Sequence, residues 1–440
     1  MNGFELKPGL QLGISSPATA VYGGDLGHSW NRWHQRGKTA PGSWDPAVAA
    51  GGWDRWREDA LLIKSMGIST CRIGVEWARI QPEKDIFDEK AMDHVKEELM
   101  FLLALGIKPL LTLHHFTNPI WIENDGGWEN HETSARFLRY VDYVVRSVGH
   151  LVDEYITINE PNLYALKGYR SGSWPPGKTS SKSTTEVISV MAATHIKAYR
   201  LIHDVRRAMG FSDTRVGFVL SMSVFEPKNR MNPVHIASAA AAEKFIQTRV
   251  AEAMMRGDFN SGIKNLSRTE PGVYCDFIGM NYHARITVAG TVKSARERAP
   301  KDDLGNEIYP DGIARCAEAL LKTEHMPVYV FNGACDGTDS FRSRYIYEHL
   351  GAVCRAGHPI ERYYYESFMD GFFWGEQPPA RLGLVYVDRE TLSRKLKASG
   401  NFYSEIIKNC GVTEDMYDTY VAGQCYHYLS PGERHMGIKK

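Results

Sequence analysis

The stretch TSARFLRYVDYVVRSVGHLVDEYITINEP, residues 133–161, holds within one short span the unit whose repetition decides the fold. Phe137, Tyr140, Val141, Val144 and Val148 fall at i, i+3, i+4 spacing, which predicts an amphipathic helix over residues 133–151. A polar break follows. Residues 155–159 then form a β-branched and aromatic run, too short for a helix, that ends in Asn159-Glu160. Working outward, the same alternation recurs. Strands are predicted at residues 11–15, 70–75, 108–114, 155–159, 215–221, 276–281, 327–331 and 362–367, with helical stretches such as 90–105 between them. Eight strands alternating with helices over 440 residues predict an α/β fold, a single (β/α)₈ TIM barrel occupying residues 1–440 as one domain. No Gly-rich phosphate loop follows a strand, which argues against an open dinucleotide-binding sheet. The Pro/Gly/Ser stretch SGSWPPGKTSSK (171–182) reads as a βα loop within the barrel and not as a domain boundary.

Composition narrows the function classes. The 52 basic and 52 acidic residues cancel, so nothing in the charge predicts a nucleic-acid partner. No apolar run approaches the ~20 residues that span a bilayer, and the first residues lack a basic segment followed by an apolar one. Cys71, Cys275, Cys316, Cys335, Cys354, Cys410 and Cys425 are odd in number and without metal spacing. Together these features predict a cytoplasmic protein with reduced cysteines, no membrane partner and no metal or organic cofactor. The sequence carries no readable signal for its oligomeric state.

In a barrel of this kind the chemistry belongs at the C-terminal ends of the strands. Arg72 lies on the second strand, His114-His115 end the third, Asn159-Glu160 the fourth and Asn281-Tyr282 the sixth. Because strand residues alternate in direction, His114 and His115 face opposite ways and cannot share one metal ion. Four polar strand ends converging on one rim point to a site.

The same residues carry a family resemblance. TINEP (157–161), RIGVEWARIQP (72–82), LTLHHFTNP (111–119), GYRSGSWPPG (168–177), DFIGMNY (276–282) and RLGLVYVD (381–388) resemble, in order and over nearly the whole chain, the motifs of glycoside hydrolase family 1. The resemblance implies cleavage of a small-molecule glycoside with Glu160 as the general acid. It also implies that Asn159 holds the sugar 2-hydroxyl, that His115 binds a sugar hydroxyl, and that Arg72 and Tyr282 orient a nucleophile. A Glu at a barrel mouth suits proton donation because burial can raise its pKa toward neutrality.

The pattern then breaks. Where the family carries Thr-Glu-Asn-Gly at the seventh strand, this chain reads MPVYVFNGACDG (326–337). Counted back from Asn332-Gly333, Phe331 stands in place of the nucleophilic glutamate; counted forward from Pro327, one residue is missing; either way no carboxylate is present. A phenyl ring cannot form a glycosyl ester, so ordinary double displacement is not expected at this position. Three further departures surround the same pocket. Ala20-Val21-Tyr22 replaces a sugar-binding Gln-Ile-Glu, Phe373-Trp374 replaces Glu-Trp, and Glu366 replaces the Trp beneath the sugar ring. Tyr22, Phe331, Phe373 and Trp374 are therefore expected to line an altered substrate pocket. Glu366 has two readings, a replacement carboxylate opposite Glu160 or an ion-pair partner for Arg72, and both stand. Among the remaining acids, Asp25 is a candidate to reach the pocket. Asp336 and Asp339 read as loop caps, Asp370 as structural, and Glu76 as packing beneath the site. The function expected is a divergent glycosidase with an inverting, substrate-assisted or otherwise nucleophile-less mechanism. The alternatives are a glycoside-binding pseudoenzyme, or a lyase or transferase that reuses Glu160.

Overall fold

Strand Glu154–Asn159 is buried at every position, as a parallel strand covered on both faces must be. The computed structural model describes residues 2–259, 262–266, 268–375 and 381–428. We number the barrel strands β1 (Gln11–Ser15), β2 (Thr70–Gly74), β3 (Lys108–Thr112), β4 (Glu154–Asn159), β5 (Arg215–Pro227), β6 (Phe277–Ala289), β7 (Val328–Asn332) and β8 (Ile360–Glu366). Each pairs in parallel with the next in chain order. β8 returns to β1, so the sheet closes into an eight-stranded barrel. This is the (β/α)₈ TIM barrel expected from the alternation.

Helices wrap the barrel because each carries one apolar stripe. Glu132–Val148 buries Phe137, Tyr140, Val141, Val144, Val145 and Val148. Each such side chain contributes roughly 1.5–3 kcal/mol by leaving water. Glu89–Ala104 starts at Asp88, whose carboxylate accepts from the Ala91 N–H. Beyond it, Gly106 takes φ 75° and turns the chain into β3.

The barrel is filled, not hollow. Leu110, Ile156, Val219, Phe277, Tyr329, Phe331 and Tyr364 meet inside it and are fully buried or nearly so. At the N-terminal end of the strands Arg362 makes a two-pronged pair with Glu154, one arm at 2.7 Å.

One difference from the sequence expectation matters for the site. β5 and β6 do not stop at the rim near residues 221 and 281. They continue together as a ribbon to the pair Pro227↔Val288, with a register shift between Met222 and Val224. β6 then turns back into a short strand, Val292–Ser294. The runs SMSVFEP and HARITVA retain enough β-branched and aromatic residues to stay extended past the polar rim.

Candidate active site

β4 delivers Glu160 by an unusual turn. Its backbone adopts φ 44°, ψ 57°, a left-handed conformation that a non-glycine residue holds only when its surroundings demand it. Pro161 follows at the first turn of a helix, where its missing N–H costs nothing. The turn leaves Glu160 nearly fully buried, yet on the wall of a cavity of about 660 Å³. His115, Asn281, His283, Glu366 and Trp374 share that wall.

β8 delivers Glu366 to the same cavity, and Gly333 after β7 makes room for it. A Cβ on Gly333 would lie 1.5 Å from the Glu366 carbonyl oxygen. The Glu366 carboxylate accepts from the Ser15 hydroxyl at 3.1 Å and lies 3.6 Å from an Arg72 guanidinium nitrogen. Burial raises its pKa above the usual carboxylate range. Arg72 pulls it back, and the neighbouring Glu160 adds to the rise. The ion-pair reading of Glu366 is thus present in the geometry, and the carboxylate still faces the cavity.

Arg72 itself is fully buried, behind the cavity wall. It donates to Thr112 Oγ1 at 2.8 Å and to Asn159 Oδ1 at 2.7 Å, and its guanidinium sits 4.7 Å above the Phe331 ring. Asn159 in turn donates to His115 Nε2 at 3.0 Å. Burial first, then Arg72, holds His115 well below its ordinary pKa, so the imidazole is neutral. Trp374 stacks on that imidazole at 5.3 Å. Arg72, Asn159, His115 and Glu366 therefore form one connected polar layer, beneath the cavity or facing it.

Three expected substrate contacts are corrected. Tyr22 points away, its hydroxyl donating to Glu98 at 2.9 and 3.0 Å. The helical turn Ala18–Val21 that follows β1 rotates it off the rim. Phe331 lies one layer below, stacked on Tyr364 at 4.9 Å inside the barrel. Tyr282 faces outward, donating to the Tyr309 carbonyl at 2.6 Å. Asp25 is turned into a different, small pocket with Glu76 and Arg79. Asp336 accepts the Phe341 and Arg342 N–H groups as a cap, and Asp370 binds Arg381 and Lys397. Glu76 is buried and takes a hydrogen bond from Thr19 at 2.7 Å. Phe373 lines the cavity as expected.

The sequence reading missed His283. Its Nε2 lies 2.9 Å from Glu160 Oε1. Its side chain is 44% accessible, yet it lies deep enough in the cavity for desolvation to oppose its charge. Glu160 outweighs that effect and raises the His283 pKa above its ordinary value. The signal was available: the period-two rule that separates His114 from His115 also puts Asn281 and His283 on one face and Tyr282 on the other. Among the described residues no group of three or more His, Cys, Asp or Glu is placed to hold a metal ion.

Known proteins share this architecture. The chain is 27% identical to Beta-glucosidase A of Thermotoga maritima over 94% of its own length and 100% of that protein. It is 29% identical to the chloroplastic galactolipid galactosyltransferase SFR2 of Arabidopsis thaliana, over 82% of this chain and 58% of that one. The structure superposes on a beta-glycosidase from Pyrococcus horikoshii with a TM-score of 0.85 at 27% identity, covering 95% and 98% of the two chains. It also superposes on a Thermotoga maritima family 1 glycoside hydrolase complexed with a cyclophellitol analogue, at TM-score 0.86, 26% identity and 94% and 100% coverage. The family profile described as Glycosyl hydrolase family 1 matches residues 21–284 and 272–412, and with that match the chain belongs to this family.

Proposed function

We propose that this chain is a divergent glycosidase that cleaves the O-glycosyl bond of a small-molecule glycoside without a nucleophile on β7. The observation that carries the proposal is the convergence of two carboxylates from opposite sides of the barrel, Glu160 and Glu366, on one cavity. Glu160 acts as the general acid, with His283 at 2.9 Å as the group that shares its proton and reaches toward solvent. Glu366 is the second carboxylate. A base gains strength as its pKa rises toward the working pH, and burial moves Glu366 in that direction. Arg72 at 3.6 Å keeps the ionised form accessible. Glu366 thus activates water or attacks directly. The rim of β7 offers no carboxylate for either step, since Phe331 and Asn332 end that strand.

Asn159 and His115, positioned by Arg72 beside Glu366, are proposed to meet the sugar hydroxyls. Trp374, stacked on His115, and Phe373 supply an apolar surface, and Phe373 stands where the family motif carries a sugar-binding Glu. That exchange supports a less hydroxylated or differently shaped sugar ring. Four of the cysteines, Cys71, Cys275, Cys316 and Cys335, are buried and free, in keeping with a proposed cytoplasmic, reducing location. A second reading, transfer of the sugar to an acceptor other than water, is favoured by the relationship to a galactosyltransferase and by the apolar outer cavity.

The test is release of aglycone from a panel of aryl and natural-product glycosides by the wild type, Glu160→Gln and Glu366→Gln, with alcohols added as competing acceptors. The proposal expects both variants to lose turnover while still binding the substrate. Full activity in Glu366→Gln would remove Glu366 from the mechanism. Ligand binding without turnover in the wild type would replace the enzyme by a binding protein.

A further inference from the structure

The two carboxylates occupy only the inner end of the cavity, and the β5–β6 ribbon continues its floor outward. Alternate residues of the ribbon face the same way, as strand geometry requires. On β5 these are Ser221, Ser223 and Phe225, and on β6 they are Asn281, His283 and, past the register shift, Ile286. The floor therefore changes along its length. It is polar and ionisable beside Glu160, and apolar at Phe225 and Ile286.

At the far end stands a cation. The strand Val292–Ser294 returns alongside β6 and sets Lys293 opposite Val288. The Lys293 ammonium lies 5.4 Å from the centre of the Phe225 ring and lines the same cavity. Partial desolvation lowers its pKa, and no carboxylate offsets this among the described residues. Among the described residues the acids on the cavity wall are Glu160 and Glu366, which are at the other end and are engaged by His283 and Arg72. At about 3.3 Å per strand residue, the run from His283 to the level of Val288 spans roughly 15 Å.

We propose that the outer half of this cavity receives a leaving group that is apolar along its length and ends in an anion held by Lys293. The inference rests on the glycoside-cleaving reading and narrows its substrate to a glycoside with an amphiphilic, anionic aglycone. The apolar stretch matches Phe225 and Ile286. The anion matches a cation that has aromatic surface beneath it and no acidic partner among the described residues. A cavity of this volume suits a ligand of drug size better than one sugar ring.

The experiment reads the outer half alone, so that it does not depend on the sugar. Phenylhexanoate, phenylhexyl sulfate and the neutral phenylhexanamide are titrated into the full-length protein and into Lys293→Gln and Lys293→Arg, with thermal melts as a folding control. The expected result is about tenfold tighter binding of both anions than of the amide at low ionic strength. That advantage should shrink as salt rises, disappear in Lys293→Gln and persist in Lys293→Arg. Preference for only one anion would identify the source of the charge. Equal binding of anions and amide, no binding of any probe, or an advantage that survives Lys293→Gln would overturn the proposal. Charge-selective binding by a protein that cleaves no glycoside would leave this site standing and overturn the glycosidase reading. Turnover of glycosides without any charge preference would do the reverse.

Discussion

Glu160 is held in a left-handed turn, buried, with one oxygen 2.9 Å from His283 Nε2. A general acid in such a setting is worth about 10²–10⁴ in rate. Glu160→Gln, which keeps the shape and removes the proton, should lower kcat by that factor on a poor leaving group, which needs the proton to depart, and leave binding nearly intact. His283 makes a separate prediction. Its pKa is raised, so the dyad keeps its proton to higher pH than an isolated imidazole would and loses it as pH rises through that elevated value. Activity should therefore fall on an alkaline limb governed by His283. His283→Asn should move that limb, because the group whose raised pKa sets it is gone. A pH profile of kcat/KM with an unmoved limb would rule His283 out of the proton path. A role limited to structure would lower activity evenly across the profile.

At the scale of elements, the β7–β8 junction decides where Glu366 sits. Gly333 faces the Glu366 carbonyl so closely that an added Cβ would stand 1.5 Å from it. Gly333→Ala should displace the end of β8, costing on the order of 1–3 kcal/mol and lowering kcat/KM by more than the stability loss accounts for. Gly357→Ala, where no atom lies within 4 Å of the new Cβ, serves as the control. Thermal melting and turnover on the same preparations separate the two effects. The eight barrel strands were legible because buried parallel strands read as dense apolar runs between amphipathic helices. The ends of β5 and β6 were not, since the reading stopped at the polar rim residues while the β-forming pattern ran on. Tyr282 was misplaced for a related reason. A motif names adjacent residues, but a strand sends them to opposite faces, and here the cavity received Asn281 and His283. Tyr22 escaped because the chain leaves β1 as a helical turn and not as a strand. The pairing of Glu366 with Arg72 was legible, because a buried guanidinium requires a partner.

At the scale of the whole molecule, the barrel carries buried acids away from the cavity as well as within it. Burial raises Glu98, beneath Tyr22, and Glu76, beside Thr19, each to about 7. A carboxyl whose folded pKa lies above its unfolded value of 4.5 binds its proton more tightly in the folded state. Stability from it is present at low pH, declines as pH rises between about 4.5 and 7, and stays lost above that. Glu98→Gln should therefore raise the Tm at pH 8, by up to a few kcal/mol of stability, and change little at pH 5. Equal shifts at both pH values would contradict the raised pKa. The central claim, however, is that two carboxylates on opposite strands act on one glycosidic bond, and it meets its most direct test in a single comparison. The first-formed anomer and kcat/KM would be followed by NMR for the wild type and Glu366→Gln on a glycoside that the wild type cleaves. The account predicts a loss of at least about 10²-fold in Glu366→Gln, with an anomer in the wild type that reports whether Glu366 activates water or attacks the sugar itself. Equal kcat/KM in the two proteins would contradict it.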